Sequence, residues 1–345
     1  MNVLACCRWT CGFALSIAAA EAAVWQMTDG GRAEGSLSGL YGPIAVIAGQ
    51  EDTTLVSVDM LDDEGLARVA DYLATRPKDS PTWADSDSKI AKSLRGRLQV
   101  LQGGKLVAFD PGARPEPQIY LVYFGAHWCR PCRQFSPSLL AAYRDLKKSA
   151  PDRFELVFVS NDHDSDEQKL YVGELGMPWP VLKYSSIGSV RAIERWAGPG
   201  IPCLVVLTRD GDVIFHSYHG SEYVGPEAVL RQFEGLLPVM GATKGRAFHR
   251  LAVVQYLRSQ PNATVPPKPY FVELDRSRYQ TLEVKRFTAR LDIDKSGHVT
   301  HATFEPQLPV AIDYQLTQDA ESWLFLPSLG NGRPRLAHVE LPIVF

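Results

Sequence analysis

At 345 residues the chain exceeds one small module, and two or three domains are expected. With 45% hydrophobic and 22% charged residues it has the composition of an ordinary globular protein, and a net charge of -3 supplies no basic field for nucleic acid. No unbroken apolar run reaches the about 18 residues that a membrane-spanning helix needs. The first residues read as a leader: residues 1–8 carry one positive charge, residues 11–20 are mostly apolar, and Ala18-Ala19-Ala20 and Ala20-Glu21-Ala22 fit the small-residue rule for cleavage. Residues 1–22 are therefore expected to be a signal peptide, and the protein to be exported to the periplasm. Its loss would remove Cys6, Cys7 and Cys11, leaving Cys129, Cys132 and Cys203. One close pair and one distant thiol do not staple a scaffold; they point to redox chemistry.

Residues 23–77 form the first domain. Val24-Trp25-Gln26 and residues 32–40 read as strands around the turn Asp29-Gly30-Gly31, and residues 44–48 and 53–58 continue the β pattern. Asp62 opens a helix with Leu66, Val69, Ala70 and Leu73 on one face. Residues 78–88, rich in Ser, Asp, Pro and Thr, read as a linker. The second domain, residues 92–240, opens on an apolar pattern with a hairpin turn at Gly103-Gly104 and runs strand, helix, strand, helix, strand, strand, helix. The strand at 120–124 is of the fully buried type, and Phe135, Leu139, Tyr143 and Leu146 mark the next helix. A strand at 155–160 and a helix at 167–175 follow. Strands 203–208 and 213–217 meet at the turn Arg209-Asp210-Gly211-Asp212, and residues 229–237 close the domain as a helix. The third domain, residues 262–345, begins with a Pro-rich linker. It contains a hairpin over 287–303 that turns at Asp294-Lys295-Ser296-Gly297, and one helix near 317–323.

The chemistry sits at Trp128-Cys129-Arg130-Pro131-Cys132. A strand that runs into Cys-x-x-Cys and then a helix puts the first thiol at the helix N-terminus, where partial positive charge favours thiolate. Cys129 is thus the candidate nucleophile, and Cys132, one turn inside the helix, the thiol that expels the partner from a mixed disulfide. Pro131 restrains the turn and Arg130 adds a nearby positive charge. A zinc site would need two more ligands from His127, His163 and Cys203, with no second cysteine pair present. In Asn161-Asp162-His163-Asp164 the acids read as caps where a loop enters a helix. Asp292, Asp294, Ser296 and Gly297 imitate a calcium loop, yet its twelfth position is Thr303 where calcium needs Glu. No metal is expected, and no cofactor besides the cysteine pair.

The run from Tyr123-Phe124-Gly125-Ala126-His127 through Cys132-Arg133 resembles the nucleoredoxin and tryparedoxin branch of the thioredoxin superfamily. Phe135-Ser136-Pro137, Val157-Phe158-Val159-Ser160, Met177-Pro178-Trp179 and Gly200-Ile201-Pro202 extend the likeness over about residues 92–240. The resemblance implies an α/β thioredoxin-like central domain with Pro202 as a cis-proline. It also implies a substrate strand that pairs with the backbone at Ile201, beside Trp128. Thioredoxins proper carry a buried Asp six residues before the nucleophile; Tyr123 stands there instead. Cys203, next to Pro202, is either a third redox thiol or a small buried strand residue. The first domain, with its Trp-x-x-x-Asp-Gly opening and acidic helix, resembles the small SH3-like barrels of secreted bacterial proteins. The last resembles the α+β C-terminal domain of TonB-type proteins. That likeness rests on Ala289-Arg290-Leu291, Gly297-His298-Val299, Ala320-Glu321-Ser322-Trp323, Asn331-Gly332-Arg333-Pro334 and Leu341-Pro342-Ile343-Val344-Phe345.

These features imply an exported thiol-disulfide oxidoreductase, chiefly a protein-disulfide reductase. Its partners would be disulfide-bearing proteins or small thiols, an electron donor, and an envelope protein on the last domain. The alternative is a non-catalytic envelope adaptor on a thioredoxin-like scaffold.

Overall fold

The computed structural model describes residues 23–50, 53–76, 81–279 and 286–344. The segment expected to be a leader, residues 1–22 with Cys6, Cys7 and Cys11, lies outside them. In the first unit β1 (Ala23–Gln26), β2 (Arg32–Tyr41), β3 (Ile44–Ala48) and β4 (Thr53–Ser57) pair antiparallel in chain order. The meander curls until its ends meet: Met27 bridges to Leu61, the Thr28 N–H donates to the Met60 carbonyl, and the Asp62 N–H to that of Gln26. Helix α1 (Asp63–Thr75) starts where the Asp62 carboxylate accepts the Gly65 N–H at 2.7 Å, which satisfies an otherwise orphaned donor. Its apolar stripe of Leu66, Val69 and Ala70 packs on Trp25, Ala45, Ile47 and Val56.

The second unit contains α2 (Lys89–Leu94), β5 (Leu98–Gln102), β6 (Lys105–Ala108), β7 (Ile119–Gly125), α3 (Arg130–Ser149), β8 (Phe154–Ser160) and α4 (Ser165–Leu175). It continues through β9 (Val181–Leu182), α5 (Arg191–Trp196), β10 (Cys203–Thr208), β11 (Val213–His216), the short hairpin β12 (Tyr218–His219) and β13 (Glu222–Tyr223), and α6 (Pro226–Val239). The sheet order is β11-β10-β7-β8-β9-β5-β6, with β7, β8 and β9 parallel. Strands β7, β8 and β10 are buried on both faces, which is why they read as unbroken apolar runs. Leu121, Tyr123, Leu156 and Phe158 meet α3, α4 and α6 on one face. Tyr120, Val122, Phe124, Val157 and Val159 meet α2, α5 and Trp83 on the other.

The segment read as a linker is in part a packed piece of this domain. Trp83 is buried edge-on against Phe109 and Tyr120, with ring centroids 5.1 and 5.7 Å away. Buried Glu116 accepts hydrogen bonds from Ser86 at 2.5 Å, from Ser88, and from Tyr120 at 3.1 Å. One tryptophan in a polar run has no periodicity, so composition alone misreads it. Helices α2 and α5, six residues each, escaped for the same reason.

Helix α7 (His249–Ser259) lies between the second and third units and was not anticipated. Beyond it come β14 (Lys268–Phe271), β15 (Arg286–Ile293), β16 (Val299–Glu305), α8 (Val310–Glu321), β17 (Leu324–Leu326), β18 (Ser328–Gly330), β19 (Arg333–Arg335) and β20 (Ala337–Val344). A β16-β15-β20 sheet packs against α8, which contributes buried Leu316 and Ala320. The helix starts earlier than its sequence suggests, because exposed Val310 and Tyr314 blur its apolar stripe. The Asp294 turn forms as expected: its carboxylate accepts the N–H groups of Ser296 and His298 at 2.9 and 2.8 Å.

The units are joined by specific contacts. Tyr41 and Val46 are buried with Leu236, Leu237 and Met240 of the second unit. Gly42, at φ +58°, comes so close to the end of α6 that a Cβ there would lie 1.9 Å from the Val239 carbonyl oxygen. From α7, Arg250 donates to the carbonyls of Asp59 and Leu61 at 3.0 and 2.6 Å and pairs with Asp63. On its other side His249 Nε2 donates to the Phe325 carbonyl at 2.7 Å.

Candidate active site

Cys129 and Cys132 form a disulfide with a Cα–Cα distance of 5.3 Å. Four residues separate the end of β7 from α3, and the Cys129 N–H closes that turn on the Ala126 carbonyl. Cys129 is the N-cap of α3, and its Sγ accepts the Cys132 N–H at 3.2 Å. Pro131 lies in the first turn, where its missing N–H leaves no helical bond unmade. Cys129 is 4% exposed and Cys132 fully buried, whereas Arg130 and Pro131 face solvent. The Ile201–Pro202 peptide is cis, and the Ile201 carbonyl oxygen lies 3.8 Å from Cys129 Sγ. Register explains the meeting: Cys203 of β10 pairs with Phe124 of β7, so the residues before one strand face those after the other.

Behind the pair stands a neutral network. The Tyr123 hydroxyl donates to the Cys132 carbonyl at 3.4 Å and shares a hydrogen bond of 2.8 Å with Ser136, which in turn meets Tyr171 at 2.7 Å. Burial holds the Tyr123 hydroxyl well above its usual pKa, so it stays protonated. Among the described residues no carboxylate hydrogen-bonds into this network.

Trp128, 52% exposed, covers one flank, with Nε1 donating to the Asn161 carbonyl at 3.2 Å and the His163 ring 5.7 Å away. Asp164 caps α4 as expected, accepting the N–H groups of Asp166 and Glu167, which lower its pKa. Asp162 does something the capping pattern did not reveal. It is buried, accepts the His127 N–H at 2.6 Å and the Ser160 hydroxyl at 2.6 Å, and so ties the loop before Cys129 to the end of β8. Gly125 and Ser160 are partners in the parallel β7–β8 pair, so residues two beyond each strand are brought together.

Cys203 packs on the opposite face of the sheet from the disulfide, among Phe124, Val205 and Trp196. It is the free thiol among the described residues, and burial pushes its pKa up. Among the described residues no group of three or more His, Cys, Asp and Glu could hold a metal ion.

Residues 117–213 match a family model described as thioredoxin-like. The central domain is thioredoxin-like. The chain is 43% identical to bovine nucleoredoxin over 122 residues, covering 35% of this chain and 25% of that protein. The chain spans about a quarter of the length of the curated nucleoredoxins of cattle, mouse and human that it matches. Among solved structures, a thioredoxin from Wuchereria bancrofti is 30% identical, covering 40% of this chain and 94% of that one, with a TM-score of 0.31. Tryparedoxin from Trypanosoma brucei is 27% identical, covering 37% and 86%, with a TM-score of 0.30. The thioredoxin-like domain therefore carries the cysteine pair, the cis-proline loop and Tyr123 within the matched residues. Sequence reasoning missed Asp162 as a loop anchor and Tyr223, whose hydroxyl donates to the Pro202 carbonyl at 2.9 Å.

Proposed function

We propose that the chain is a thiol-disulfide oxidoreductase working chiefly as a protein-disulfide reductase. One observation carries this reading: Cys129 Sγ sits at the N-cap of α3, takes the Cys132 N–H and touches the cis-proline loop. In the reduced protein the same N–H and helix terminus would stabilise a Cys129 thiolate. That thiolate attacks one sulfur of a substrate disulfide, forming a Cys129–substrate disulfide and releasing one substrate thiolate, which takes up a proton. Cys132 then attacks Cys129 Sγ as its thiol proton is lost, forming the Cys129–Cys132 disulfide and releasing the second substrate thiolate, which takes up that proton. Two electrons pass from the pair to the substrate, and an external dithiol restores the pair. No further cofactor is needed.

In this reading Trp128, Ile201 and Pro202 form the substrate surface, with the Ile201 backbone pairing with an extended segment. Arg130, Pro131 and Tyr123 support the pair. We read residues 1–22 as an export leader, the first unit as an SH3-like appendage and the last as a TonB-C-like partner-binding domain. The test is turnover of a protein disulfide with dithiothreitol as reductant. Cys129→Ser should abolish it, and Cys132→Ser should accumulate mixed disulfides through Cys129. Full activity in Cys129→Ser would refute the mechanism.

A further inference from the structure

The hairpin β12–β13 is built against the cis-proline loop. At its base the Ser217 hydroxyl donates to the Leu204 carbonyl at 3.0 Å and accepts the Leu204 N–H at 2.8 Å, while the Ser217 carbonyl accepts the N–H groups of Val224 and Gly225. His216 Nε2 donates to the Trp196 carbonyl at 3.1 Å, which leaves Nδ1 to accept the Tyr218 N–H at 2.9 Å. The Tyr218 ring lies so close under the loop that a Cβ on Gly198 would fall 2.4 Å from it, and one on Gly200 2.9 Å from its hydroxyl. Tyr223 packs on Tyr218 with ring centroids 4.8 Å apart. Its hydroxyl is engaged by Pro202, and burial, reinforced by the nearby charge of Glu227, raises its pKa to about 12, so it remains a donor. The residue nevertheless stays 48% exposed.

Sheet order gives this exposed ring a place relative to the cysteines. Cys129 follows β7, the strand between β10 and β8. Trp128 leans to the β8 side, onto Asn161, and Tyr223 stands on the β10 side, on Pro202. Two half-exposed aromatic rings therefore flank one nearly buried sulfur, each held by a hydrogen bond from its polar end. Rings fixed in this way offer apolar contact at low entropic cost. An extended chain running along Ile201 would lie beside Pro202, on which Tyr223 stands, whereas a small disulfide needs only the Cys129 sulfur beside Ile201.

We propose that Tyr223 is a substrate-positioning residue that favours disulfides carried on extended polypeptide over small disulfides. This rests on the redox reading above. The experiment uses the full chain with dithiothreitol as reductant and compares insulin with oxidised glutathione as substrates. Tyr223→Ala is expected to lower kcat/KM for insulin about tenfold more than that for oxidised glutathione, mainly through KM, the scale of losing one anchored aromatic contact. Tyr223→Phe keeps the ring but frees the Pro202 carbonyl, and should give about a threefold differential in the same direction. Equal losses on both substrates, or no loss on insulin, would overturn the proposal; should Tyr223→Ala not fold, Tyr223→Phe alone decides. A wild-type chain that reduces oxidised glutathione but not insulin overturns the proposal and the preference for protein disulfides, and leaves thiol-disulfide exchange through Cys129 standing. One that reduces neither overturns the redox reading itself.

Discussion

At the scale of single residues, the site separates groups that chemistry demands from groups that only position them. Asp162 belongs to the second kind. Removing its carboxylate in Asp162→Ala strands the His127 N–H and the Ser160 hydroxyl, at a cost of about 1–3 kcal/mol for each buried group left unpaired. The expected result is a lower urea midpoint together with slower disulfide exchange, because the loop that delivers Cys129 loses its tie to β8. Unchanged exchange in a destabilised variant would mean the tie serves the fold alone. Cys203 makes the opposite prediction. Its thiol lies across the sheet from the pair, so Cys203→Ser should retain turnover, and in the wild type the thiol should react with alkylating agents only on unfolding. Lost turnover would revive the third-thiol reading. The cysteine pair was legible in the sequence because its spacing and its strand-to-helix setting are local. Asp162 was not, because a carboxylate before a helix looks like a cap whether or not it bonds elsewhere.

At the scale of elements, the central strands and helices α1, α3, α4 and α6 followed their periodicity. Strand β10 and the β3 strand have the bounds their sequence pattern indicated, and α1 begins behind Asp62. The departures occur where packing overrides composition. Residues 81–88 look like a linker and are held by Trp83 and by Glu116, whose carboxylate also lies 3.4 Å from Arg209. In Glu116→Ala the Tyr120 and serine hydroxyls and the guanidinium lose a shared, buried partner. A loss of about 3–5 kcal/mol is expected from breaking such a pair. Limited proteolysis should then cut within residues 81–88 before it cuts β7 or α3; simultaneous cutting would show that the segment is not the element Glu116 secures.

At the scale of the whole molecule, α7 is the joint between the first and last units. Arg250→Ala should speed hydrogen exchange in α1 and leave exchange in α3 near the wild-type rate, because its side-chain hydrogen bonds among the described residues go to the first unit. His249 adds a pH dependence. Burial lowers its pKa below the usual 6.5, and its neutral ring donates to Phe325 within reach of His298 and Tyr270. The unfolded chain therefore takes up this proton first as pH falls through 6.5, so stability should decline from there down to the lower folded value. Urea midpoints at about pH 7.5 and about pH 5 should differ less in His249→Gln than in the wild type; equal differences would remove His249 from the account. By itself the sequence determined where the cysteine pair lies, the strand that leads to it and the helix it caps, since periodicity, caps and turns act within about a dozen residues. Only the tertiary structure decided what surrounds the sulfur: Asp162 beneath the loop, Ile201 beside Cys129, Tyr223 on Pro202, and Cys203 turned away. The first two contacts follow from the register of β7 with β8 and β10, and that of Tyr223 from the β12–β13 hairpin; register depends on residues far apart in the chain.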